Sequence, residues 1–357
     1  MKTAQLPVRA LVLPFVFALS VAAVSPAAGQ TLTLKQVGTI PGPVDLVRAQ
    51  GSFVYVAESK TLAIFDVSDP AAPKRVGAYN FTEKIWGFRV AGDRAFVANG
   101  HSGLGIVDIS KPSAPALLSL TKMPGQAKNV SVAGNRALLA NHMSGVDVVD
   151  ISDQAKPKLV GSAYLDGYAR DVATSGSLAV AVDNPSGVYV FDMTGGNPLE
   201  PVTALQSATA PQQVEMAEIA AGGGRARIAV LGGSEPYDPL RTVKLEAGEK
   251  PRGGSIQLYD VSNQTAPAFI GTYPTASSQR RLAVKGSLVY VADGAGGLQI
   301  LDISTPSKAT VVGRFQTAKP ARDVAVGDSV IAVVLGAPAQ GSRSQTEGDV
   351  LLLRQTP

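Results

Sequence analysis

The residues able to do chemistry fall at repeating positions. Aspartate stands at 66, 108, 150, 192, 260 and 302, each time closing an apolar run such as Gly103-Leu104-Gly105-Ile106-Val107-Asp108. Six carboxylates at matched places invite a metal-site reading. A recurring structural role explains them better, because one active site would not need six copies. Asp-(Ile/Val)-Ser before a Pro-containing turn is a hairpin anchor whose side-chain oxygens accept turn amides. Each charge-assisted bond there is worth roughly 1–3 kcal/mol.

A second set stands at the start of each repeat's first strand: Asp45, Gly87, Asn129, Asp171, Gln213, Arg281 and Asp323 in one register. One residue earlier come Val44, Trp86, Lys128, Arg170, Gln212, Arg280 and Arg322. Converging Arg and Lys would draw an anion or an acidic partner. The competing expectation is that Arg–Asp pairs from neighbouring repeats satisfy one another around a wet channel. Trp86, the only Trp, adds a stacking surface there or simply a rim contact. His101 and His142, the only histidines, occupy equivalent loops of adjacent repeats. With Asp45 or Asp171 they would have the donor types of a metal site. Neither stands at metal-ligand spacing within one element, so no metal is expected. No nucleophile elbow, P-loop or dinucleotide fingerprint occurs, and Gly222-Gly223-Gly224 opens no helix. Few aromatics argue against a quinone-type cofactor, so neither a catalytic residue nor a cofactor is assigned.

The elements that must position these residues follow from the spacing. The Asp positions lie 42, 42, 42, 68 and 42 residues apart, with Arg354 in the seventh place after a step of 52. A period of about 40–50 residues with four short strands per period marks a propeller blade. In the second unit the apolar runs are 86–91, 94–98, 104–109 and 116–122, broken by Gly92-Asp93, Asn99-Gly100 and Lys111-Pro112-Ser113. Both faces of the Leu104–Ile109 run are largely apolar, so each sheet must be covered on both sides, which stacking in a ring achieves. The expectation is an all-β, seven-bladed β-propeller of four-stranded blades. The last unit lacks its fourth strand, and residues 34–40 match that strand in other units. They are predicted to pair with 350–354, closing the ring. Unit five carries about six extra residues near Ala220–Arg225 in its first turn, and about twenty more at 233–253. Unit seven carries ten extra at 336–348. The long loops 233–253 and 336–348 are expected at the mouth that holds the strand starts.

The units resemble the LVIVD repeats of bacterial and archaeal cell-surface proteins. The residues carrying the likeness are Ile106-Val107-Asp108-Ile109-Ser110, Val148-Val149-Asp150-Ile151-Ser152 and Ile300-Leu301-Asp302-Ile303-Ser304. Ala169-Arg170-Asp171-Val172-Ala173 and Ala321-Arg322-Asp323-Val324-Ala325 extend it. The resemblance spans nearly all of 34–355 and implies a propeller at a surface or secreted location. It implies no single reaction.

Composition bounds the function. The formal charge is +4 over 357 residues, with no Lys/Arg run of five, which excludes a nucleic-acid argument. There is no cysteine, hence no disulfide framework, thiol nucleophile or lipidated cysteine. Lys2, Arg9, the apolar run 10–24 and the small residues 25–29 read as a secretory signal over 1–29. That run is shorter than the ~20 residues a spanning helix needs. A mature chain of 30–357, exported to the periplasm or cell surface, is therefore expected, as a monomer without a transmembrane segment. The expected role is a binding module for a protein, a polysaccharide or a small anion. Its candidate mouth comprises Trp86, Lys128, Arg170, Arg280, Arg322, Asp45, Asp171, Asp323, His101 and His142. The alternative is an extracytoplasmic hydrolase or lactonase-like enzyme using the same mouth.

Overall fold

A computed structural model describes residues 31–194, 199–205, 207, 210–221, 224–234, 254–275, 281–336 and 348–356. The leader 1–29 lies outside them, as do Arg280 and nearly all of loops 233–253 and 336–348. Seven four-stranded antiparallel sheets account for the strands. Six sheets follow chain order, for example Gly87–Ala91, Arg94–Ala98, Leu104–Asp108 and Ala116–Thr121 in blade 2. The strands of a blade are named A to D in that order, A lying innermost. The A strands neighbour one another in sequence, and that of blade 7 (Ala321–Val326) meets that of blade 1 (Leu46–Gln50), so the ring is closed. The protein is a seven-bladed β-propeller.

Alternation along each strand sends side chains to both sheet faces, and both are apolar. The buried residues accordingly group between blades and not within them. Each of seven clusters draws on two neighbours: Phe96, Leu104 and Ile106 of blade 2 pack on Val130, Leu139 and Val149 of blade 3. Ile40, Val334 and Leu352 of blade 7 pack on Val47, Val54 and Ala63 of blade 1. A blade removed from the ring would expose both flanks.

Ring closure follows the sequence expectation. Thr33–Ile40 pairs antiparallel with Val350–Thr356 from Thr33 opposite Thr356 to Ile40 opposite Val350. Both ends of the chain thus complete blade 7. The six aspartates are hairpin anchors. Asp66, Asp108, Asp150, Asp192, Asp260 and Asp302 each accept the amide N–H two residues on, at 2.8–2.9 Å. In unit five, the extra residues expected in the turn near 220–225 do not enlarge that turn. They lengthen the A–B hairpin into strands Ala210–Ala221 and Gly224–Ser234, paired as far as Ala221 opposite Gly224. No described helix is long and apolar enough to cross a membrane.

Ile40 is fully buried while its strand neighbour Gln36 is exposed. Ile40→Ala should therefore cost about 2–5 kcal/mol in denaturant unfolding, whereas Gln36→Ala should leave the midpoint within about 0.5 kcal/mol of wild type.

Candidate ligand-binding mouth and the ring axis

The A strands start at one mouth of the ring, and the B–C loops stand beside them. Gly100 pairs with Ala127, His142 with Ala169 and Gly294 with Ala321, so each of these loops is bonded to the next blade's A-strand entry. This brings the sequence-selected residues to one face but sorts them into two layers.

The outer layer is Asp45, Trp86, Lys128, Arg170 and Arg322. Asp45 belongs here and not with Gly87 and Asn129, a correction of one residue. Its N–H donates to Ala57 O, as Trp86 N–H does to Ala98 O and Lys128 N–H to Ala140 O. The cause is a shorter B–C turn in blade 1, where Glu58 pairs with Thr61 across Ser59-Lys60. In blade 2 the turn from Ala98 to Leu104 is longer by one residue. The inner layer is therefore Leu46, Gly87, Asn129, Asp171, Gln213, Arg281 and Asp323.

The inner layer laces blades together. Asp171 accepts from Val214 N–H of the next blade (3.1 Å), from its own neighbour Val172 N–H (2.9 Å), and from Asn129 Nδ2 of the preceding blade. Gln213 accepts Leu282 N–H (2.5 Å) and donates to Leu282 O (3.2 Å). Asp323 accepts Val47 N–H (2.9 Å) and Arg48 Nη1 (3.3 Å) across the closure. Gly87 fills the same position in blade 2 because a Cβ there would lie 2.6 Å from both Lys128 O and Asn129 Oδ1. The Arg–Asp satisfaction foreseen between neighbouring blades thus holds for Arg48–Asp323, with an arginine the sequence reading did not select.

One strand period deeper lie Arg48, Arg89 and Glu215. Arg89 of blade 2 forms a forked pair with Glu215 of blade 5, Nη2 lying 3.3 Å from both carboxylate oxygens. These blades stand three apart, so the pair reaches across the ring axis. A cavity of about 170 Å³ is bordered by Arg48, Arg89 and Glu215 together with apolar A-strand residues such as Leu282 and Val324. The signal for this layer was present in the sequence: each residue stands two places after an inner-layer position, on the same strand face.

Electrostatics differ between the layers. Burial raises the Asp171 carboxyl to about 6, with Glu215 adding to the rise, while Arg281, Val214 N–H and Arg89 oppose it. Burial lowers the Arg48 guanidinium, with Arg89 and Arg281 adding like charge. At the mouth, Lys128 Nζ sits 3.5 Å from the centroid of the Trp86 ring, and Lys84 Nζ lies 5.5 Å from it. Burial, then Arg170, then Lys84, lower Lys128 to about 8. His142 is lowered below the ordinary imidazole range by burial, with Lys128, Arg170 and His101 contributing. Its ring lies 4.7 Å from that of Tyr168. His101 is held through its N–H by Glu83 Oε2 at 2.9 Å. Among the described residues, no group of three or more His, Cys, Asp or Glu is placed to share a metal. Asp323 and Asp171 work inside the ring, away from the Trp86 corner, and Arg322 has a buried Nη1 without a hydrogen-bond partner.

Two measurements check these environments. Asp171 binds its proton more tightly folded than unfolded, so its contribution to stability is full below the ordinary carboxylate value of 3.8 and is lost as pH rises through about 6. Asp171→Asn should remove that dependence, so wild type should lose stability relative to the variant between pH 4 and pH 6. Amine labelling followed by peptide mass analysis should place the Lys128 midpoint near 8, against 10.5 for an unshifted lysine.

The comparisons agree with the repeat pattern. No curated protein matches the chain. The β-propeller domain of Cps50 (Swd1) from Myceliophteria thermophila superposes with a TM-score of 0.65 at 11% identity, covering 91% of this chain and all of that one. The computationally designed Ika8 protein superposes with a TM-score of 0.58 at 10% identity, covering 84% of each chain. At such identities the likeness speaks for the fold alone. The LVIVD repeat model matches residues 41–81, 84–120, 124–164, 254–275 and 277–317. These cover just over half of the sequence, and the chain belongs to the LVIVD repeat family.

Proposed function

We propose that this chain is an exported binding module, a protein-interaction propeller whose working face is the mouth at which the A strands start. The observation that carries the reading is the corner built by three successive blades. Trp86 is 38% exposed beneath Lys128, and Tyr168 is 41% exposed beside His142, with exposed Arg170 on the same strand. Trp, Tyr and Arg are the side chains most enriched where proteins bind one another. Export and a periplasmic or cell-surface location rest on the 1–29 leader pattern and on the habit of the repeat family. Of the partner classes protein, polysaccharide and small anion, the exposed Trp, Tyr and Arg favour a protein.

Site-directed photocross-linking in the producing cell tests this. A cross-linker at Met143, 64% exposed beside His142, should give a discrete adduct. One at Phe269, 57% exposed on the outer strand of blade 5, should not. Equal adducts from both, or none from Met143, would sink the reading. Recovery of the protein from the extracytoplasmic fraction with an N-terminus near residue 30 checks export. A chain retaining Met1 in the cytoplasm would overturn it.

A further inference from the structure

We propose that the Trp86–Lys128–Arg170 corner receives an extended acidic peptide segment whose carboxylates lie against Lys128 and Arg170 and whose apolar side chains lie on Trp86, Tyr168 and Met143. This rests on the binding-module reading and gives its mouth a ligand class.

Charge points the same way. The groups acting on Lys128 besides burial are Arg170 and Lys84, both like charges. The carboxylates nearby have other employment. Asp45 lies 3.6 Å from Lys84 and accepts Ser59 N–H at 3.2 Å, and Glu83 holds the His101 N–H. Asp45 answers Lys84, but among the described residues no carboxylate forms an ion pair with Lys128 or Arg170, and crowding those two cations costs free energy that an incoming carboxylate would recover. The ion pair would also restore the proton affinity that Lys128 has lost.

Backbone geometry supplies a second, independent observation. His142 adopts φ +54°, and its counterparts in blades 2 and 6 are Gly100 at +59° and Gly294 at +52°. A side chain at such a φ is strained by about 1 kcal/mol or more. The structure keeps an imidazole where glycine would fold more easily, and that imidazole props the Tyr168 ring at the rim. Apolar exposure is the third element. Met143 and Tyr168 flank His142, so cationic and apolar surface alternate across blades 2, 3 and 4. A bare inorganic anion would leave the apolar part unused. A nucleic acid would call for a wider positive field than a formal charge of +4 on the whole chain provides.

Trp86 is the only tryptophan, so emission excited at the long-wavelength edge of the band, where the nine tyrosines do not absorb, reports on this corner alone. The probe is a peptide alternating Glu with Leu, compared with its Gln-for-Glu counterpart and with inorganic phosphate. The Glu peptide should shift Trp86 emission saturably and bind at least about tenfold more tightly than either comparator, a difference of ~1.4 kcal/mol. Arg170→Gln, at an exposed position, should weaken it by about tenfold without altering the circular-dichroism melt. Tyr168→Ala should weaken it as well. Affinity should fall as pH rises through about 8, where Lys128 loses its proton. The groups facing it, Lys84, Arg170, His101, His142, Asp45, Glu83 and Tyr168, are to be held constant by comparing wild type with Lys128→Met, which should lack that step. Equal binding of the Gln peptide, phosphate binding as tightly as the peptide, no saturable change, or indifference to Arg170→Gln would each overturn the proposal. If the peptide fails while Met143 still cross-links a discrete partner, the acidic-peptide assignment falls and the binding module stands. If both fail, the mouth is not the working face.

Discussion

Every blade in this protein depends on its neighbours for burial. The apolar clusters lie between sheets, with each cluster shared by two blades, so no sheet has a core of its own. Burying a Val, Leu or Ile side chain is worth about 1.5–3 kcal/mol, and a lone blade would forgo most of that on both flanks. Closing the sheets into a ring covers every flank. This is why the first described strand must travel to the end of the chain. Without Thr33–Ile40 the last sheet would present an open edge and an uncovered Leu352.

The same packing forces polarity at the axis. Seven A strands converge where there is little room, and their inner positions face one another and not another sheet. Asp171, Gln213 and Asp323 take the spare backbone N–H groups of adjacent A strands, and Asn129 donates its side-chain amide to the Asp171 carboxylate, so these buried polar atoms are satisfied blade to blade. Arg89 and Glu215 then meet across the axis. Such a pair gains little net stability after desolvation but penalises any other arrangement of the ring. Above that pair the strand starts present Trp86, Lys128 and Arg170 at the mouth.

Much of this was legible in the residues, and the failures have physical causes. Blade number, the closing strand and the hairpin role of the aspartates rest on local chemistry and a fixed period, both written along the chain. Counting back from the C-strand aspartates puts Asp45 one residue off. A one-residue shortening of the Ser59 turn shifts everything upstream of it. The six extra residues near Ala220–Arg225 read as part of the first turn, yet continued pairing along Ala210–Ala221 satisfies their backbone groups more fully than an enlarged turn would. Arg48 and Glu215 were passed over because single charges on a strand look solvated until the ring closes around them.

The sequence by itself determined the unit, its count and the way the ends meet, since these follow from side-chain alternation, turn formers and the need to cover two apolar faces. Tertiary structure alone decided which charges face each other. Arg89 and Glu215 are 126 residues apart in the chain, and Trp86 and Lys128 are one full repeat apart. Distances of that kind arise only when the ring closes, because curvature, and not chain order, sets which strand starts converge at the mouth.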